Sequence, residues 1–101
     1  SYSDITFKFI LPQINNQQKI IFSFATTLTH ESSDGVKFSV LVSGTEIWLA
    51  SQKTMELNER KIDLSSLAGE RIDLTLRVDP LENNRYDWSV WSTPQIVLEK
   101  K

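Results

Sequence analysis

The sequence contains no cysteine, which excludes disulfide scaffolds, thiolate metal sites and cysteine nucleophiles together. It has one histidine, His30, beside Glu31 in a turn-like stretch. No Gly-x-Ser-x-Gly segment is present, so a Ser-His-Asp centre would have to be gathered from scattered positions. A solvated turn histidine is the simpler reading, because a catalytic site needs several convergent groups. The three glycines, Gly35, Gly44 and Gly69, are too dispersed for a phosphate-cradling loop. No apolar run approaches the ~18 residues of a membrane span; the longest is around Ile20-Ile21-Phe22. Charge of one sign is scarce too: 11 Lys and Arg against 13 Asp and Glu give a net charge of -2, with no basic field to attract a phosphate backbone. Neither nucleic acid binding nor membrane insertion is expected.

What is there is the composition of one packed domain: 101 residues, 40% hydrophobic and 24% charged, too short a chain for a second core and too apolar for disorder. The chain opens Ser1-Tyr2-Ser3 with no Met or signal-like segment, and ends on the linker-like Glu99-Lys100-Lys101. The reading is a single module over 1–101, cut from a larger protein.

Apolar residues recur with period two. Between Arg71 and Val78, Ile72, Leu74, Leu76 and Val78 alternate with Arg71, Asp73, Thr75 and Arg77, which predicts a strand with one dry and one wet face. The same alternation predicts strands over Ile5–Phe9, Ile20–Leu28 and Val36–Val42. Shorter ones are expected at Thr45–Ala50, Lys61–Leu64, Trp88–Trp91 and Gln95–Leu98. Ser32-Ser33-Asp34-Gly35 and Ser43-Gly44 read as turns, and Ser65 to Glu70 as one helical turn capped by Ser65 and closed by Gly69. About eight short strands separated by turns specify an all-β fold, an antiparallel β-sandwich or barrel.

A two-residue loop at Ser43-Gly44 sets Val42 opposite Thr45, Val40 opposite Ile47 and Phe38 opposite Leu49 on one face. Trp48 then points away from the core. Either a loop such as 52–58 or a neighbouring domain covers it, or it is a stacking platform for a sugar ring.

The densest polar segment runs from Asp79 to Asp87. Asp79, Glu82, Asn83, Asn84 and Asp87 offer oxygen donors of the kind Ca²⁺ prefers, without the ladder of an EF-hand, and the same residues make ordinary turns. Asp79 and Asp87 are the candidate ligands of a structural calcium; no cofactor is required. Arg85 and Tyr86 could instead hold a sugar by hydrogen bonding and ring stacking. A carboxylate pair for glycoside hydrolysis also needs a cleft, and a sandwich this short spends nearly all its chain on its own core. No enzymatic activity is expected.

The order of motifs carries a resemblance. The run from Asp34-Gly35-Val36-Lys37-Phe38 through Ser43-Gly44-Thr45-Glu46-Ile47-Trp48 comes first. Ile62-Asp63-Leu64-Ser65 to Gly69, Ile72-Asp73-Leu74-Thr75-Leu76 and Asn84-Arg85-Tyr86-Asp87-Trp88-Ser89-Val90-Trp91 follow. Together they resemble the NPCBM-type carbohydrate-binding modules, jelly rolls of the galactose-binding-domain-like fold often appended to glycoside hydrolases and bacterial surface proteins. The resemblance covers Asp34 to Ile96. It departs from the family in the closing motif, where the family's pattern is similar to Asp-His-x-Asp-Trp and this chain has Trp88 and Val90 in place of the His and second Asp.

The resemblance implies a non-catalytic, lectin-like module of a bacterial extracellular, cell-surface or periplasmic protein, with Trp91 as framework and the end loops as ligand site. Trp48, Asn84, Arg85 and Tyr86 are the expected ligand contacts. The competing reading is a structural domain that packs against neighbouring domains and binds no sugar.

Overall fold

The computed structural model describes residues 3–29, 35–80 and 89–101. They form seven strands: β1 (Ser3–Ile10), β2 (Gln18–Leu28), β3 (Val36–Val42), β4 (Thr45–Gln52), β5 (Asn58–Asp63), β6 (Arg71–Pro80) and β7 (Ser89–Lys100). A four-stranded sheet in the order β1-β6-β3-β4 faces a three-stranded sheet in the order β5-β2-β7, and every pairing is antiparallel. This is the sandwich architecture that the alternation specifies. Only β3 to β4 is a hairpin within one sheet; the other five connections pass from one sheet to the other.

The core is what the period-two pattern requires. Phe22 and Phe24 of β2, Phe38 and Val40 of β3, and Ile72, Leu74 and Leu76 of β6 are buried between the sheets. A fully buried phenylalanine contributes about 1.5–3 kcal/mol, so the three phenylalanines alone rival the net stability of a small domain before entropy is charged. Trp91 and Trp48 close the aromatic cluster: Phe24 lies 4.9 Å from Phe22, 5.0 Å from Trp48 and 5.4 Å from Trp91, centroid to centroid.

Two expectations are corrected by β-bulges. The Ser43-Gly44 turn forms as expected, with φ of 48° and 88°, the paired left-handed residues of a tight hairpin. Val42 opposes Thr45 and Leu41 opposes Glu46, but the register then slips by one, so that Val40 opposes Trp48 and Phe38 opposes Ala50. Because side chains alternate, one extra residue at Ile47 reverses every later position. Trp48 therefore faces inward, half-buried against Phe24 and Trp91, while Leu49 is 53% exposed. Trp48 is not an outward platform.

The second bulge lies in β7, where the last two expected strands are one. Ser23 opposes Gln95 and Ala25 opposes Ser92, so Thr93 and Pro94 together stand opposite Phe24. Thr93 has φ 46°, a strained value for a β-branched residue. The extra residue lets both Trp91 and Ile96 face the core, although they are an odd number of positions apart.

The helical turn is a 3-10 segment, Ser65–Leu67. Ser65 does not cap it; its hydroxyl accepts from the Ile20 amide at 2.9 Å, and its own amide donates to Asp63 Oδ1 at 2.8 Å. Hydrogen bonding to Asp63 from the Ser65 hydroxyl first, and then from this amide, holds the Asp63 carboxyl below the usual carboxylate range. Gly69, with φ 78°, holds a left-handed backbone that a side chain would strain, and the end of the exposed Gln13 side chain lies over it.

On the outer face of β1 and β6, Arg77 donates to both oxygens of Asp4, at 2.8 and 2.9 Å. The guanidinium's hydrogen bonding keeps the Asp4 carboxyl below its ordinary value; it outweighs the opposing effect of burial and is reinforced by a smaller contribution from the guanidinium charge. A carboxylate lowered on folding contributes stability at pH values above its unfolded pKa and loses it as pH falls through the folded one. Wild type should exceed Asp4→Asn by about 0.5–1 kcal/mol near neutrality, as befits a partly exposed pair. Denaturant titrations should show that margin shrinking as the pH falls through the lowered folded pKa; a margin independent of pH would contradict the ion-pair assignment.

Candidate functional site

Two concavities of different chemistry flank β7. The first, of about 290 Å³, opens between β1 and β7 and is lined by Phe7, Phe9, Phe22, Leu74, Leu76, Pro94, Gln95 and Ile96. Gln95 is the one polar residue along its edge. This cleft is the unfilled margin of the core, and it could orient a hydroxylated ligand at a single point only.

The second, of about 440 Å³, is a polar trough on the outer face of the three-stranded sheet. Strand order and pairing build it residue by residue. On the middle strand β2, the outward residues between Phe22 and Phe24 and after it are the small Ser23 and Ala25, which form the floor. Lys61 and Gln95 stand opposite Ser23 on the two sides, and Glu59 and Ser92 stand opposite Ala25. The β7 bulge adds Thr93 to one wall, and Leu57, 58% exposed, forms an apolar rim from the β4–β5 connection. Phe24 and Arg60 complete the lining.

The charged wall is tethered. Lys61 Nζ donates to Glu99 Oε2 at 3.2 Å, a diagonal reach across β2 that passes the buried Ile21. Arg60 points to the opposite face, its guanidinium 5.6 Å from the centroid of Trp48 in a cation–π contact that closes the β5 edge of the core. The trough thus presents carboxylate, ammonium, amide and hydroxyl groups around a small floor, donors and acceptors in alternation.

The rim at Leu57 is held by a buried amide. Gln52, 6% exposed, accepts from the Thr26 hydroxyl at 2.9 Å and donates to the Thr54 and Glu56 carbonyls at 2.8 and 2.7 Å. Thr27 donates to the Met55 carbonyl at 2.9 Å. The segment between β4 and β5 is therefore tied to β2 by side chains, although it lacks regular structure.

Of the expected site residues, Trp48 belongs to the core cluster and Asn84, Arg85 and Tyr86 lie outside the described residues, as does His30. Asp79 is the penultimate residue of β6, opposite Lys37, and Asp87 lies outside the described residues. Among the described residues, no group of three His, Asp or Glu side chains converges as a metal site. Sequence reasoning missed Ser23, Glu59, Lys61 and Gln95. The available signal was the pair of small outward residues, Ser23 and Ala25, flanking Phe24 on a strand with a strongly apolar inner face. Protein-family models, curated proteins and solved structures were compared with the chain, and none matches it.

Proposed function

We propose that this chain is a non-catalytic carbohydrate-binding module of jelly-roll type, the domain of a larger bacterial protein displayed outside the cytoplasm. The observation that carries the reading is the polar trough over Ser23 and Ala25. A sugar hydroxyl both donates and accepts, so a glycan is matched by walls that mix the Gln95 amide, the Glu59 carboxylate and the Ser92 and Thr93 hydroxyls. Leu57 offers apolar surface to the C–H face of a ring. The motif order resembling NPCBM-type modules supports the same class, and Asn84, Arg85 and Tyr86 remain its proposed loop contacts. Structural calcium between Asp79 and Asp87 is part of the proposal, and chelation would weaken binding if it serves the loop.

A second reading, packing against neighbouring domains without sugar, is favoured by Ile47 and Leu49, which the β4 bulge leaves 39% and 53% exposed. One experiment separates the two. A glycan array followed by calorimetry on the best ligand should show binding that Glu59→Ala with Gln95→Ala weakens about 30-fold, at about 1 kcal/mol for each lost hydrogen bond. Both side chains lie on exposed positions, so the fold should be unaffected. No retained glycan, or full binding by the double variant, would reject the trough as the site.

A further inference from the structure

Each sheet has two outer strands, and they are not equally protected against pairing with another chain. β7 carries Pro94 and the Thr93 bulge, β4 carries a bulge at Ile47, and β5 spans six residues. By contrast, β1 runs eight residues in unbroken register with β6, has no proline, and leaves Ile5 and Phe7 54% and 45% exposed.

We infer that β1 is a self-recognition edge, pairing antiparallel with β1 of a second copy about a two-fold axis at Thr6. The charge pattern selects this register. On the outer face Asp4 faces Arg77, Thr6 faces Thr75 and Lys8 faces Asp73 across β1 and β6. With Thr6 opposite Thr6 of the second copy, Asp4 falls opposite Lys8, and Lys8 opposite Asp4. A row of alternating sign then runs unbroken over four strands, from Arg77 through Asp4 and the second copy's Lys8 to its Asp73. The middle row is four threonines, extending the Thr6–Thr75 hydroxyl contact of 2.9 Å. Moving the axis by two residues either way puts like charges face to face, Asp4 on Asp4 or Lys8 on Lys8. Moving it by one sets Asp4 or Lys8 against Thr6 and breaks the row.

On the inner face the same register places Ile5 against Phe7 of the second copy, an apolar cross-strand pair that covers both exposed side chains and the mouth of the apolar cleft. Strand pairing is isologous, so it closes at two copies and forms one eight-stranded sheet. The inference is independent of the trough and its ligand.

Sedimentation of the 101-residue chain tests it. Wild type should show reversible dimerisation. Thr6→Asp and Thr6→Lys each place like charges on the axis and should weaken it about fivefold at low salt, whereas their equimolar mixture should form a mixed dimer about fivefold tighter than wild type. Raising the salt should narrow these differences. Both variants lose the same Thr75 contact, so the mixture against either variant alone isolates the axis, and circular dichroism confirms the fold. A monomeric wild type, or a mixture that associates no better than its components, would overturn the inference.

Discussion

Replacing Phe24 with alanine should lower the unfolding free energy by about 3–5 kcal/mol. Its ring is 2% exposed on the middle strand of the three-stranded sheet. It stacks on Phe22 at 29°, meets Trp48 edge-on at 80° and tilts against Trp91 at 54°. Deleting it removes the transfer free energy of the side chain, leaves a cavity ringed by three aromatics that cannot collapse together, and forfeits aromatic pairs at about 0.5–1.5 kcal/mol each. For a domain of this size the melting temperature should fall by about 15–30 °C, read by calorimetry or near-ultraviolet dichroism. Phe7→Ala is the matched control. Phe7 sits in an equally clear alternation but is 45% exposed, so its loss should cost about 1 kcal/mol or less. Equal losses at the two positions would contradict the placement of the core.

The second large effect is expected at Gln52. Gln52→Leu keeps the volume but removes the acceptor of the Thr26 hydroxyl, itself 1% exposed, and the donor to two loop carbonyls. The carbonyls of the exposed segment can turn to water, whereas the hydroxyl cannot, so the cost should be about 2–4 kcal/mol rather than three full desolvation penalties. Trypsin should also cut faster after Lys53, because the segment between β4 and β5 loses its anchor. Gln52→Glu sharpens the test: a carboxylate in place of the amide would aim lone pairs at the Thr54 and Glu56 carbonyls, so its charged form is disfavoured. Its folded pKa is raised, and stability should fall as pH climbs above about 4.3. A pH-independent Gln52→Glu variant would argue against the two carbonyl contacts.

The all-β class and most strand positions were legible because alternation is a local signal and the inner-face residues obey it, as in Arg71 to Val78. The turn at Ser43-Gly44 was legible for the same reason, since its left-handed residues are a local demand. The side on which Trp48 falls was not. A bulge is set by how two strands twist together, and Thr45 to Ala50 reads equally well with or without one extra residue. The β7 bulge did leave a trace: Trp91 and Ile96 both read as apolar anchors at opposite parity, and Pro94 between them signals an interruption that looks like a turn. The exposure of β1 was hidden as well, because alternation reports a dry face without reporting whether an opposing sheet reaches far enough to cover it. The trough was harder still. It consists of ordinary surface residues, Glu59, Lys61 and Gln95, brought together by strand order, and strand order is a property of the whole chain.

The placement of β1 also governs the timing of assembly. Among the described residues its one strand partner is β6, so Phe7 waits for Leu74 while most of the intervening chain is laid down and folded. Closing so long a loop is entropically costly, and topologies dominated by such distant pairings fold in roughly milliseconds to seconds. On the ribosome β1 thus waits longer than β2, β3 or β4 for a first strand partner, and until β6 emerges its Ile5, Phe7 and Phe9 are bare. A chaperone that holds short hydrophobic segments would meet this domain at β1, in the interval before β6 leaves the exit tunnel.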